Sequence, residues 1–249
     1  MQMLSLKYKK YIYKDMELNK IYNESNLDTM SKMEDNFVDM IITSPPYNIG
    51  KSRGNTNNPD VNYDTYTDDL DIEDYFEQTK IWIDECLRVS KNYVFWNVGE
   101  YAGCKGIAGY IMSKYKDNLK DTFIWIKNNP NPTGRGVVCN GYEYIFCLCS
   151  IPDAVGRKYE YNNFGDNMIK NYIIKPVNNG KDNSGHGYAF GDWLPKYFIN
   201  YFSKKGDLIY DPFMGSGTTA KAAHLLDRNW IGSEISKSSV YVVLQEEML

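Results

Sequence analysis

The chain has 249 residues, 43% of them hydrophobic and 24% charged, which predicts one globular domain with modest insertions and excludes general disorder and fibrous repeats. Its 28 Lys+Arg against 32 Asp+Glu give a net charge of −4 and exclude a globally basic surface. No apolar run approaches the roughly 18 residues of a membrane span, and the polar start shows no secretory signal, so a cytosolic location is expected.

The first half of the chain is predicted to contain a strand–helix–strand unit. Residues 37–43 form an apolar, β-branched run that stops at two prolines, as expected for a buried parallel strand. Residues 48–71 are rich in Gly, Asn, Asp and Ser and are expected to form a mobile loop. Apolar residues then recur at helical spacing over 72–87, and residues 93–98 are predicted to be the second strand.

The second half continues this alternation. Strands are predicted at 122–127, 142–149, 207–210 and 230–235, and helices from Asp192 as cap towards Gly206 and over 217–226. Residues 151–183 lack clear periodicity and are the candidate insertion. The alternation predicts an α/β fold with a doubly wound, mostly parallel sheet covered on both faces.

Cysteine and histidine usage argues against cross-links and metal. The five cysteines form no C-x-x-C pair, and two histidines cannot supply a zinc site of ordinary spacing. Neither a disulfide nor a metal is therefore expected.

One candidate ligand-binding motif, Asp211-Pro212-Phe213-Met214-Gly215-Ser216-Gly217-Thr218-Thr219, lies between a predicted strand and a predicted helix. Its glycines let the backbone approach a ligand, and the helix N-terminus offers amide donors. Glu234 closes the next strand 234 − 215 = 19 positions later, a spacing at which a carboxylate binds ribose hydroxyls. Walker and dinucleotide patterns fail, which favours an adenosyl group without pyrophosphate. An ordinary tight turn with a surface glutamate is the alternative.

A second motif, Thr43-Ser44-Pro45-Pro46-Tyr47-Asn48, follows the first predicted strand. Its prolines fix φ and offer carbonyls without competing amide donors, and Tyr47 offers a flat stacking surface. Such a site suits a planar ring whose exocyclic amine is held by acceptors. A strand terminator with a packed tyrosine is the simpler alternative for the two prolines alone.

Together the two motifs resemble those of the DNA amino-methyltransferases, which carry a [DNS]-P-P-[YFW] catalytic motif and a D-P-F-x-G-S-G-T-T loop for S-adenosylmethionine. Their order resembles that of the permuted β group, and the resemblance covers about residues 21–235, including segments 82–90, 142–145 and 186–190. It implies a Rossmann-like methyltransferase fold acting on double-stranded DNA. One departure is Glu24-Ser25-Asn26-Leu27 where the family often has Gly-Asp-Cys-Leu, so Ser25 stands in place of the aspartate that usually contacts the cofactor.

The resemblance also implies residue roles. The Ser44 side chain and the Pro45 carbonyl would accept hydrogen bonds from the target amine within the Ser44-Pro45-Pro46-Tyr47 motif, and Tyr47 would stack on a flipped base. S-adenosylmethionine contacts are implied for Asp211, Pro212, Phe213, Gly215, Ser216, Gly217, Thr218 and Glu234, and for Ala189 and Phe190.

Ser44 favours N4 of cytosine over N6 of adenine, because Ser-Pro-Pro-Tyr in this family is associated mainly with cytosine and Asp-Pro-Pro-Tyr with adenine. A cytosine-C5 mechanism would need a cysteine nucleophile after proline, and the chain has no Pro-Cys dipeptide. An RNA or protein-amide methyltransferase and an inactive S-adenosylmethionine-binding module are the alternatives from other classes.

Target recognition is expected in residues 151–183, where Arg157, Lys158, Lys170 and Lys175 are candidate phosphate contacts. An ordinary solvated face is an equally simple interpretation of these charges. A segment this short suggests either a compact target site or help from a second subunit of a homodimer.

Overall fold

The computed structural model describes residues 12–49, 68–130, 136, 138–149, 156, 158–177 and 191–237. The strands are β1 Ile12–Tyr13, β2 Met16–Glu17, β3 Lys20–Tyr22, β4 Val38–Thr43, β5 Ser90–Val98, β6 Leu119–Lys127, β7 Tyr142–Leu148, β8 Tyr172–Lys175, β9 Leu208–Asp211 and β10 Asn229–Ser233. The helices are α1 Asn26–Ser31, α2 Ile72–Val89, α3 Ile107–Lys114, α4 Trp193–Phe202 and α5 Thr218–Leu225.

Eight of these strands form one sheet in the order β3-β10-β9-β4-β5-β7-β6-β8. Strand β7 pairs antiparallel with both β5 and β6, whereas the other pairings in the sheet are parallel. The predicted α/β class and mostly parallel sheet are therefore confirmed. Strands β1 and β2 form a separate antiparallel pair.

Both faces of the sheet are buried. Successive side chains of the central strands point to opposite faces and belong to two different cores. Ile41 and Trp96 belong to a core that also contains residues of α1, α2 and α3. Met40, Ile42 and Phe95 belong to a second core with residues of α4 and α5. Within the described chain, no helix is both long and apolar enough to cross a membrane.

The order of strand addition reverses between β9 and β4. Strand β9 is followed by β10 on one side, and β4 is followed by β5 on the other. In open α/β sheets, such a switch point leaves a crevice at the carboxyl ends of the strands, where ligands bind. Ser44 follows β4 and Pro212 follows β9, so both sequence motifs meet at this place, which we call the switch-point crevice.

Several described elements, among them α1, α3 and β8, were not predicted from the sequence. Helix α3 was not predicted from periodicity; its first turn is held by Glu100, whose carboxylate accepts hydrogen bonds from Gly106 N (2.5 Å) and Ala108 N (3.0 Å). Strand β8 lies inside the segment for which no regular element was predicted. Four residues are too few for a periodicity to be visible in the sequence.

Helix α4 begins after Asp192 as predicted, but the capping interaction is different. The Asp192 carboxylate binds Lys196 Nζ at 2.5 Å, one turn along the helix, and makes no side-chain cap hydrogen bond. The helix ends at Phe202, before the predicted stop at Gly206, which instead has a φ of +89° in the turn before β9.

Candidate active site

The buried carboxylate of Asp211 organises the loop after β9. It accepts hydrogen bonds from Thr219 Oγ1 at 2.6 Å, from Phe213 N at 3.0 Å and from Thr43 Oγ1 at 2.6 Å. Burial raises the pKa of Asp211 to about 6, although these hydrogen bonds act in the opposite direction. Because Thr43 is the last residue of β4, this carboxylate links two motifs that are 168 positions apart in the chain.

Two glycines shape the loop that follows. Gly215 and Gly217 have φ angles of +51° and +82°, a region that side chains of L-residues disfavour. Gly217 is the N-cap of α5 and donates its N–H to Met214 O at 2.9 Å. Since the first amides of a helix have no partner within the helix, this turn presents hydrogen-bond donors to a ligand.

Glu234, directly after β10, lies against the same loop. Its Oε2 accepts a hydrogen bond from Gly215 N and its Oε1 from Ser236 N, each at 2.8 Å. The residue is 8% exposed. These two backbone donors fix the direction of the carboxylate, and each oxygen of an ionised carboxylate can accept more than one hydrogen bond.

Ser25, at the departure from the family pattern, caps α1. Its hydroxyl accepts a hydrogen bond from Asp28 N at 3.1 Å. The neighbouring Glu24 pairs with Lys32 at 2.5 Å. Because Glu234 N donates to Tyr22 O at 3.1 Å, this segment borders the crevice, and its position 25 offers a hydroxyl in place of a carboxylate.

The Ser44-Pro45-Pro46-Tyr47 motif leaves β4 at the same edge and is fixed at its far end. Tyr75 on α2 donates its hydroxyl proton to Pro46 O at 2.8 Å. Asn48 is 1% exposed and donates from Nδ2 to Leu70 O and Gly103 O, both at 2.8 Å. A Cβ atom on Gly103 would lie 1.6 Å from Asn48 O, so only glycine allows this close approach.

A buried polar cluster that no sequence pattern predicted lies behind Tyr47. Asn97 of β5 donates from Nδ2 to Tyr47 Oη at 3.0 Å and to Glu143 Oε2 at 2.6 Å. Tyr47 Oη lies 3.2 Å from Glu143 Oε2 and 2.6 Å from Ser44 Oγ. Lys127 Nζ pairs with Glu143 Oε1 at 2.7 Å, with side chains only 7% and 6% exposed. The available signal was a charged Glu143 inside an otherwise apolar predicted strand.

The environment of Tyr47 keeps its hydroxyl protonated. Burial, reinforced by the nearby Glu143 carboxylate, raises the pKa of Tyr47 well above its usual value. Its ring centroid lies 5.1 Å from that of Tyr101, whose hydroxyl donates to Glu143 Oε1 at 2.7 Å. The hydroxyl of Tyr47 is thus engaged by protein groups.

The predicted phosphate contacts do not share one edge of the sheet. Lys175 ends β8 opposite Lys127 in the register, which places it at the carboxyl edge with the two motifs. Lys158 precedes Tyr159, whose hydroxyl lies 3.4 Å from Asp121 near the amino end of β6. Lys170 lies two residues before β8, with its ammonium 5.2 Å from the ring centroid of Tyr172.

Some predicted features lie outside the described residues. These are Arg157, Ala189, Phe190, most of the expected loop at 48–71, and residues 151–155 and 178–183 of the expected recognition segment. The other predicted site residues are described: Ser44, Pro45, Pro46 and Tyr47 on one side of the crevice, and Asp211, Pro212, Phe213, Gly215, Ser216, Gly217, Thr218 and Glu234 on the other.

Comparison with known proteins identifies the family. The model of the N6/N4 DNA methylase family matches residues 38–245. The chain belongs to this family. Type II methyltransferase M.BglII of Bacillus subtilis is 28% identical over 260 residues, which cover 92% of this chain and 68% of the relative. M.HinfI of Haemophilus influenzae is 25% identical over 252 residues, covering 93% and 68%.

Solved structures share the fold. PvuII DNA methyltransferase (cytosine-N4-specific) aligns with a TM-score of 0.70 and 14% identity over 90% of this chain and 84% of its own. The complex of M1.HpyAVI with S-adenosylmethionine aligns with a TM-score of 0.64 and 21% identity over 92% and 99%. The expected Rossmann-like methyltransferase fold and family resemblance are confirmed, and the chain is a DNA methyltransferase of a family whose methyl donor is S-adenosylmethionine.

Proposed function

We propose that this DNA methyltransferase transfers the methyl group of S-adenosylmethionine to N4 of a cytosine flipped out of duplex DNA. The observation that carries the proposal is the 2.6 Å hydrogen bond from Thr43 Oγ1 to Asp211 Oδ1. This contact supports the proposal because it holds the end of β4 beside the loop after β9, and a direct transfer needs its two bound molecules side by side.

The cofactor side of the crevice fits an adenosyl group with an amino-acid tail. The fixed Glu234 carboxylate would accept hydrogen bonds from ribose hydroxyls, and the amides at the start of α5 suit a carboxylate. Phe213, whose ring centroid lies 4.8 Å from that of Trp82, is half-buried beside this loop. When bound, S-adenosylmethionine supplies an electrophilic methyl group.

The opposite side would hold the target amine. The Ser44 hydroxyl and the Pro45 carbonyl would each accept one N–H, which draws the amine towards tetrahedral geometry and directs its lone pair at the methyl group. Tyr47 would stack on the base, whose extrusion from the duplex costs a few kcal/mol. Pro46 fixes the backbone between these groups.

The choice of cytosine rests on Ser44. The family association of Ser-Pro-Pro-Tyr supports N4 of cytosine. N6 of adenine is the second candidate, because neutral serine and ionised aspartate both accept hydrogen bonds from an amine.

For target recognition we propose residues 151–183, with Lys175 contacting phosphate because it lies at the carboxyl edge of the sheet. The small size of this segment leaves two arrangements to test: a compact DNA site read by one chain, or a site shared with a second copy. Sedimentation of the protein with and without DNA separates them.

The decisive experiment incubates the protein with labelled S-adenosylmethionine and unmethylated genomic DNA, followed by mass spectrometry of the digested nucleosides. N4-methylcytosine supports the proposal, whereas N6-methyladenine would overturn the choice of base. Label in tRNA or protein but not in DNA would contradict the proposed substrate. The variant Pro46→Ala should lose transfer while cofactor binding, measured by calorimetry, is retained.

A further inference from the structure

A chain of three oxygen atoms connects a buried strand to the reacting end of the catalytic motif. It runs from Glu143 Oε2 to Tyr47 Oη at 3.2 Å and from there to Ser44 Oγ at 2.6 Å. A hydroxyl group has one proton to donate, whereas an ionised carboxylate only accepts. The direction of every hydrogen bond in the chain is therefore set by its carboxylate end.

We propose that Glu143 is a positioning residue that orients the Ser44 hydroxyl for the target amine. Tyr47 donates its proton to Glu143, and Ser44 donates its proton to Tyr47. The lone pairs of Ser44 Oγ then face the crevice. This inference rests on the proposed function, in which Ser44 accepts a hydrogen bond from the amine.

The reverse direction would not suit the reaction. If Tyr47 donated to Ser44, the Ser44 proton would be free to point at the amine, so that a donor would face a donor. Tyr47 Oη and Glu143 Oε2 would also stand 3.2 Å apart without a proton between them. In this buried place an unmade hydrogen bond costs more than it does in water.

The Glu143 carboxylate is itself held from several sides. Lys127 Nζ and Tyr101 Oη both donate to its Oε1 at 2.7 Å. Asn97 Nδ2 donates to its Oε2 at 2.6 Å and to Tyr47 Oη at 3.0 Å. If the Asn97 side-chain amide were flipped, its Oδ1 would face the Glu143 carboxylate oxygen. The hydrogen-bond pattern therefore defines the orientation of Asn97.

Stability alone gives little reason for this arrangement. A buried ion pair is often no more stabilising than apolar side chains of similar volume. The Lys127–Glu143 pair is nevertheless placed, with side chains 7% and 6% exposed, directly behind the catalytic motif. An orienting role explains both its cost and its position.

The variant Glu143→Gln tests the direction of the hydrogen bonds between Glu143, Tyr47 and Ser44. Its amide can donate to Tyr47 Oη, which would turn the Tyr47 proton towards Ser44 and the Ser44 proton towards the amine. We expect kcat for methyl transfer to unmethylated genomic DNA to fall about tenfold or more, with the Kd for S-adenosylmethionine nearly unchanged.

A double-mutant cycle separates orientation from general support of the site. Tyr47→Phe keeps the ring and removes the link, so we expect a smaller loss of kcat and no further loss when Glu143→Gln is added. In a Tyr101→Phe background, which removes a hydroxyl outside the Ser44 path, the full Glu143→Gln loss should persist. Independent, multiplying losses for Tyr47→Phe and Glu143→Gln would overturn the proposal.

A second measurement, by NMR, does not depend on methyl-transfer activity. With ¹³Cζ-labelled tyrosine, the Tyr47 resonance is identified by its loss in Tyr47→Phe, and Glu143→Gln should shift it upfield because the phenol no longer donates to a carboxylate. An unshifted resonance would overturn the proposal. If Glu143→Gln alone fails to fold, adding Lys127→Met removes the uncompensated ammonium. A wild-type protein that labels no DNA contradicts the proposed function, whereas the resonance still tests the hydrogen-bond direction.

Discussion

The two sides of the switch-point crevice are built in different ways. The proposed cofactor side is a contiguous stretch, residues 211–218, with Glu234 directly after the adjacent parallel strand β10. The proposed amine side is the short Ser44-Pro45-Pro46-Tyr47 motif, and the cluster behind it contains Asn97, Lys127 and Glu143 from three further strands. A local turn therefore forms the proposed cofactor loop, whereas the polar cluster behind Tyr47 depends on distant parts of the chain.

Strand direction explains how that support reaches the crevice. Because β7 runs antiparallel to β5 and β6, its first residues lie at the edge where β5 and β6 end. Glu143 is the second residue of β7 and pairs in register with Trp125, close to Lys127. A parallel strand in this place would bring its last residues to the crevice instead.

We expect the largest effect of a single substitution on the cofactor side, where it should abolish most of the affinity for S-adenosylmethionine. In Gly217→Asp, a side chain at φ +82° adds strain and negative charge where α5 presents its amides. We expect the affinity for S-adenosylmethionine, measured by calorimetry, to fall about 30-fold or more. Gly206→Asp is the matched control, since its φ is +89° in a turn outside the loop; equal losses of affinity would show that strain alone is responsible.

The amine side should respond to a change in its backbone support. Gly103→Ala would bring a Cβ to 1.6 Å from Asn48 O and force the segment after Tyr47 to move. We expect about 2 kcal/mol of stability to be lost in urea unfolding, and kcat to fall more than cofactor affinity. Gly109→Ala, in α3 with nothing within 4 Å, should instead stabilise by about 0.5–1 kcal/mol. Unaltered kcat in Gly103→Ala would contradict the link to the motif.

The pH dependence of stability tests the carboxylate that joins the two sides. The pKa of Asp211 is about 6 in the folded protein against a usual 3.8, so the folded state binds a proton more tightly than the unfolded chain. The stabilisation that this proton binding at Asp211 adds to the folded state is fully present below about pH 4 and is lost as the pH rises through about 6. Asp211→Asn does not ionise, so its unfolding free energy relative to wild type should rise by about 2 kcal/mol between about pH 4.5 and about pH 7.5. A difference independent of pH would contradict the raised pKa.

The sequence predicted what local patterns encode. The strand before Ser44, the helix after Gly217 and the carboxylate at 234 follow from periodicity, turn chemistry and spacing, and the structure places all three at one crevice. The Thr43–Asp211 contact and the cluster around Glu143 depend on strand order and on the reversed direction of β7. Neither is visible in a local pattern, because partners lie 168 and 96 positions apart in the contacts Thr43–Asp211 and Tyr47–Glu143.

The smallest expected effect concerns the outer rim of the crevice. Lys175 lies at the carboxyl edge, beside the end of β6, whereas Lys158 adjoins the amino end of that strand. Lys175→Gln should weaken DNA binding uniformly across sequences and reduce the slope of log affinity against log salt by about 1, because one phosphate contact is lost. Lys158→Gln should change that slope less. Fluorescence anisotropy with duplex DNA at several salt concentrations measures both; a larger effect of Lys158→Gln would place the DNA along the amino edge and contradict the proposed orientation.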